Sequence, residues 1–109
     1  MNNNLVQEIN QMHAEICGGL ADPTRLVILY TLADEPHNVT EMCSILQMSQ
    51  PLISRHLKIL RERGLVLANR EGQTVLYTLA DHRVIEALDL LRAVMASKLK
   101  SQASLAEQI

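Results

Sequence analysis

The sequence has no tryptophan, no phenylalanine and only two tyrosines. With hydrophobic residues at 48% of the chain, any core must be aliphatic, built from Leu, Ile, Val and Met. Two cysteines, Cys17 and Cys43, exclude a disulfide framework. In a reducing compartment two free, packed thiols are the default. No apolar run is long enough to cross a membrane, and no basic stretch followed by an apolar one opens the chain. The expectation is a cytoplasmic protein with no membrane partner. Signatures of enzymes are missing as well. There is no Gly-rich phosphate loop, no paired carboxylates near a His, and no Ser or Cys nucleophile with a plausible base. Asp34 and Glu35 read as loop charges.

A net charge of −2 and a pI near 6.0 argue against a general polyanion binder, but the distribution of charge matters more than its total. Residues 54–70 hold five cations (Arg55, Lys58, Arg61, Arg63, Arg70) and one anion (Glu62), a net of +4. The rest of the chain holds five cations and eleven anions, a net of −6. A protein that meets nucleic acid with one face and repels it elsewhere has this pattern.

Within the basic segment, Leu52, Ile53, Leu57 and Leu60 recur at helical spacing. Ser54, Arg55, Lys58 and Arg61 fall on the opposite face, with Gln50 and His56 near its edges. Ser49 can cap the start, Pro51 suits a first turn, and Gly64 can end the helix. A short helix with an apolar back and a cationic, hydrogen-bonding front suits a DNA major groove. The plainer reading is an amphipathic surface helix with a solvated face, and the flanking elements decide between the two.

Upstream, Leu5, Ile9, Met12, Ile16 and Leu20 form a helical stripe over 5–20, which Gly18 and Gly19 should end or kink. Asp22-Pro23 restarts a helix as cap and first residue. Its apolar residues are Leu26, Val27, Leu29, Tyr30 and Leu32, and Asp34-Glu35-Pro36 stops it. Val39–Leu46 is a short helix with Thr40 as its cap and Met42, Ile45 and Leu46 inward. A tight turn at Gln47-Met48 joins it to the basic helix, so 39–64 reads as a helix-turn-helix. The period then changes to two. Residues 65–68 and 74–79 read as strands around a polar turn, Asn69–Gln73, making 65–79 a wing with Arg70 and Gln73 near its tip. Each of those two is equally readable as a solvated turn residue. Asp81 can cap a last helix over 81–100. Its apolar face (Val84, Leu88, Leu91, Met95 and Leu99, widened by Ile85, Ala87, Leu90 and Val94) is too broad for one flank of a domain this small. The economical reading is one domain, 1–109, that dimerises through its first and last helices. The fold class is mainly α with a small β-hairpin, a winged helix-turn-helix in the order α-α-α-α-β-β-α.

The residues Leu20-Ala21-Asp22-Pro23-Thr24-Arg25-Leu26-Val27-Ile28-Leu29, Ser49-Gln50-Pro51-Leu52-Ile53-Ser54-Arg55-His56-Leu57-Lys58-Ile59-Leu60-Arg61, Gly64-Leu65-Val66 and Arg70-Glu71-Gly72-Gln73-Thr74-Val75-Leu76-Tyr77 resemble the ArsR/SmtB family of winged-helix repressors, in the order that family has them. The resemblance implies a homodimer that binds double-stranded operator DNA and leaves it when an effector or a thiol modification arrives. It puts Gln50, Ser54, Arg55, His56 and Lys58 on the recognition face. To these the sequence adds Ser49, Arg61, Arg70 and Gln73 as candidate DNA contacts.

The sensor is open at this level. Of the several thiols that some arsenic-sensing relatives place in the stretch leading into the first helix of the helix-turn-helix, here Asn38–Cys43, only the last has a counterpart, at Cys43. The zinc site that others build on the last helix is absent, because Asp81 is followed by His82 and Arg83 and no later His exists. Three readings stand for Cys17 and Cys43: buried packing; thiol chemistry by oxidation, persulfidation or a mutual disulfide; or a soft metal or metalloid held with His13, and with His37 from the same or the other subunit. A small-molecule effector also fits. No cofactor is called for. A second class of function is a winged-helix module that docks a protein instead of DNA.

Overall fold

The computed structural model describes residues 2–108. The chain begins with α1 (Asn3–Met12), whose start is capped by the Asn2 side chain accepting from the Asn4 N–H at 2.7 Å. It passes without a break into one π-helical turn, His13–Cys17, and a last α turn, α2 (Gly18–Leu20). The glycines expected to end or kink this helix lie in its last turn, which closes at Leu20. Gly18 keeps right-handed helical angles, and the irregularity lies one turn earlier, in the π segment. What the glycines provide is room for neighbours. A Cβ on Gly18 would lie 2.8 Å from Arg63 Nη1, and one on Gly19 would lie 2.8 Å from Leu65 Cδ1.

α3 (Pro23–Asp34) starts as anticipated. The Asp22 carboxylate accepts from the N–H groups of Thr24 (2.8 Å) and Arg25 (3.2 Å), and Pro23 occupies the first turn. Partial burial pushes the Asp22 carboxyl up, but those two N–H groups outweigh it and hold the group below its ordinary value. Ile28, Leu29 and Leu32 are the residues α3 buries, whereas Val27 is 44% exposed.

α4 (Val39–Leu46) is capped by Asn38, not Thr40. Thr40 already lies inside the first turn, where it cannot serve the orphan N–H groups that a cap reaches from outside. Asn38 Oδ1 accepts from the Glu41 N–H at 2.8 Å, and Glu41 Oε1 accepts from the Asn38 N–H at 3.0 Å. Met42 is fully buried, while Ile45, expected to face inward, is 53% exposed. α5 (Gln50–Glu62) follows after Gln47, whose φ of 55° turns the chain sharply.

β1 (Val66–Glu71) and β2 (Thr74–Leu79) pair antiparallel from Val66↔Leu79 to Glu71↔Thr74. The first strand therefore runs further than its sequence suggests, and the turn shrinks to Gly72-Gln73. Gly72 supplies the positive φ such a turn requires (65°). A third segment joins the sheet edge. The His37 N–H donates to the Tyr77 carbonyl (3.2 Å), and the Tyr77 N–H donates to the His37 carbonyl (2.9 Å).

α6 (Arg83–Gln108) continues past residue 100 to the end of the described chain. Asp81 accepts from the Arg83 N–H at 2.9 Å, and the paired Arg83 side chain and N–H hold its carboxyl down at about 2. The Tyr30 hydroxyl ties α6 to α3 by donating to Asp89 Oδ1 at 2.6 Å, with the Arg92 guanidinium 5.2 Å from the ring centre. The core is aliphatic, as the composition requires. Ile28, Leu29, Met42, Ile53, Leu57 and Leu60 pack between α3, α4 and α5, and Leu65, Val66, Leu79 and Leu88 close it. The architecture is the winged helix-turn-helix expected, with the interrupted first helix as the one addition.

Candidate nucleic-acid interface

The candidate interface is built on α5. Ser49 caps it by accepting from the Leu52 N–H at 3.4 Å. Ile53, Leu57 and Leu60 lie at positions i, i+4 and i+7, which anchors one stripe in the core and leaves Arg55, Lys58 and Arg61 exposed on the outer side. None of these three cations, nor Arg70 on β1, has a carboxylate partner within ion-pair range among the described residues. Gln50 is exposed and donates from Nε2 to Ser54 Oγ at 2.7 Å, so two hydrogen-bonding groups are held side by side at the start of the helix. Ser54, Lys58 and Arg61 line a shallow groove between α5 and the wing that Tyr77 helps to wall. Gln73, in the wing turn, and Arg70 beside it are exposed. Eight of the nine residues singled out for DNA contact are thus each exposed or groove-lining, with Ser49 also serving as the cap.

The ninth does not. His56 is 5% exposed and lies inward, with Nδ1 3.3 Å from Arg25 Nη1. The reason is periodicity. Residues 53, 56, 57 and 60 follow i, i+3, i+4, i+7, so His56 stands within the buried stripe, and a polar ring is tolerated there because α3 supplies a donor. Counting that stripe more strictly would have placed it. Arg25, which sequence reasoning treated only as part of a motif, turns out to be its partner. Arg63, counted among the cations of the basic segment, donates to the Ala14 carbonyl and faces the first helix.

The sensor candidates are less drawn together. Cys43 is half-buried against the core, Cys17 is half-buried in the π turn, and both are free thiols. His13 is exposed. No group of three His, Cys, Asp or Glu side chains suited to a metal forms among the described residues. The set His13, Cys17, His37 and Cys43 therefore does not fit a metal within one subunit. His37 is instead buried at 6% exposure between two carboxylates, which corrects the expectation that none flank a His. Its Nδ1 lies 3.7 Å from Glu41 Oε2 and its Nε2 lies 3.9 Å from Glu35 Oε1, both beyond hydrogen-bond range. Glu41 comes near because it stands one helical turn on and is held by its capping bond to Asn38.

The first and last helices keep their apolar stripes in the open. Leu5, Ile9 and Met12 on α1 are 41%, 41% and 47% exposed, and Leu90, Leu91 and Val94 on α6 are 70%, 63% and 58% exposed. No helix among the described residues is long and apolar enough to cross a membrane.

Residues 22–67 match the family described as bacterial regulatory protein, arsR family. The chain is similar to the HTH-type transcriptional repressor SmtB of Mycobacterium tuberculosis, at 41% identity over 78 residues, which is 72% of this chain and 58% of that one. The matched stretch is thus little more than half the length of that repressor. An HTH-type transcriptional regulator of Methanocaldococcus jannaschii is 42% identical over 72% of this chain and 89% of its own. Among solved structures, the homodimeric winged helix-turn-helix DNA-binding domain from Mycobacterium bovis superposes with a TM-score of 0.76 at 28% identity, covering 92% of each chain.

Proposed function

The chain belongs to the bacterial ArsR family of regulatory proteins, and from that premise we propose that it is a homodimeric, sequence-specific DNA-binding transcriptional repressor of the cytoplasm. The observation that carries this reading is the exposed, unpaired cationic face of α5 beside the wing, set on a protomer whose two terminal helices leave apolar stripes open. Residues 39–64 serve as the DNA-reading helix-turn-helix, 65–79 as the wing, and 5–20 with 81–100 as the dimerisation helices of a single domain, 1–109. Arg55, Lys58 and Arg61 neutralise phosphates or reach guanine edges, Gln50 and Ser54 offer hydrogen bonds to base edges, and Ser49, Arg70 and Gln73 contact the backbone. A two-fold dimer would present two α5 helices to neighbouring major grooves, so the operator is a palindrome or near-palindrome. His56 is not among the contacts.

Repression is lifted by an effector that alters the spacing or rigidity of the two α5 helices. Coupling of about 1–3 kcal/mol between the sites is enough. Cys43, packed against the core that holds α5, is the residue through which oxidation, persulfidation or a metalloid would act. A soft metal would have to draw its remaining ligands from the partner subunit.

The test is to select a duplex from a randomised pool with the wild-type protein and to titrate binding against salt. DNA readout through several cations gives an affinity that falls steeply with salt. A protein-docking module would select no duplex or would bind without salt dependence. Repeating the titration with zinc, with arsenite and with oxidised or persulfidated protein identifies the effector. A Cys43→Ser variant that still responds to the effector releasing wild type rules out that thiol.

A further inference from the structure

The end of the first helix carries an unusual load of hydrogen-bond acceptors. One π turn and a short α turn close this helix, and the last turn of any helix leaves carbonyls without intrahelical partners. Two arginines from elsewhere in the fold meet them. Arg63, just after α5, donates to the Ala14 carbonyl. Arg25, in the first turn of α3, donates from Nε to the Gly19 carbonyl at 2.7 Å and from Nη2 to the Gly18 carbonyl at 3.3 Å. Its remaining arm, Nη1, lies 3.3 Å from Nδ1 of the buried His56 on α5. A guanidinium has donors only, so Nδ1 is the acceptor of that contact. The glycines belong to the same arrangement, because a Cβ at Gly18 or Gly19 would collide with Arg63 or Leu65 at 2.8 Å.

One planar, rigid fork therefore touches the helix proposed to pair the two subunits and the helix proposed to read DNA. We infer that Arg25, through His56, is the positioning residue that converts the pairing of the terminal helices into a defined pose of α5. Neither residue needs to touch DNA. A flexible ammonium could not hold three acceptors in one plane, which is why the position calls for arginine. The inference rests on the reading of α5 as the DNA-contact helix.

The experiment compares His56→Leu, His56→Asn and Arg25→Lys with wild type. Each is measured by anisotropy on the duplex selected by wild type and on a scrambled duplex of equal length, with sedimentation and a thermal melt alongside. His56→Leu fills the buried space but removes the acceptor, and His56→Asn keeps an oxygen near the place of Nδ1. The expected result for His56→Leu is a loss of about tenfold on the selected duplex, the scale of one charge-assisted hydrogen bond. Binding to the scrambled duplex stays within about twofold, because the exposed cations are untouched. His56→Asn restores the selectivity, and Arg25→Lys, which keeps the charge, loses it as His56→Leu does while remaining dimeric. A contact that merely stabilises the fold would lower the active fraction and weaken both duplexes alike. The inference is overturned if His56→Leu and Arg25→Lys keep full selectivity, if both duplexes weaken equally, or if His56→Asn is no better than His56→Leu. If wild type selects no duplex, the reading of α5 fails first and the inference goes with it.

Discussion

Replacing Arg55 and Lys58 together by alanine tests the interface most directly. Arg55, Lys58, Arg61 and Arg70 are exposed and lack carboxylate partners among the described residues. If each neutralises one phosphate, a dimer makes about eight such contacts, and the logarithm of affinity falls against the logarithm of salt with a slope of about −7. Between 50 and 200 mM salt that amounts to about four orders of magnitude in affinity. The double variant gives up about four contacts per dimer, so its slope drops to about −3.6 and the loss over the same range shrinks to about two orders. Neither side chain enters the core, so stability should move by no more than about 0.5 kcal/mol. The assay is an anisotropy titration on the selected duplex at several salt concentrations, with sedimentation confirming the dimer. A slope within about one of the wild-type value, in a folded dimer, would refute the reasoning.

Other outcomes follow from the same geometry. Leu91→Asp puts a charge on an α6 face that is 63% exposed in the protomer; sedimentation should show monomers with an unchanged helical spectrum, and a persisting dimer would remove α6 from the interface. Leu57, 1% exposed, anchors α5 in the core, so Leu57→Ala should cost about 2–5 kcal/mol in urea unfolding. A loss well under that range would mean that the core beneath α5 is loosely packed. Asp81 is held at about 2, below its ordinary value of 3.8. Its stabilising contribution is thus complete above about pH 4 and fades as pH falls toward 2. The gap in melting temperature between wild type and Asp81→Asn should be constant near neutrality and close across that acid window. The effect is small because Arg83 is 83% exposed and solvent screens the pair. A gap that persists unchanged to pH 2 would contradict the pairing.

Much of this protein was legible in its amino acids because the signals were local. Asp22-Pro23, Ser49-Gln50-Pro51 and the glycine of the wing turn act within three or four residues, so they announce helix starts and a hairpin whatever surrounds them. The confinement of basic charge to 54–70, and its spacing against Ile53, Leu57 and Leu60, likewise defined the outward face of α5 before any packing was known. Other features depend on what lies opposite in space. His56 finds the partner for its buried ring in Arg25, thirty-one residues away in sequence. His37 joins the sheet edge because Tyr77 comes alongside. Cys17, Cys43 and His13 form no metal-suited group among the described residues although their types invite one, since ligand geometry is a property of folded distances and not of spacing along a chain. Composition, periodicity and capping are short-range and can be counted from residues alone. The partner that a buried polar group finds is chosen by packing, and only the tertiary structure contains that choice.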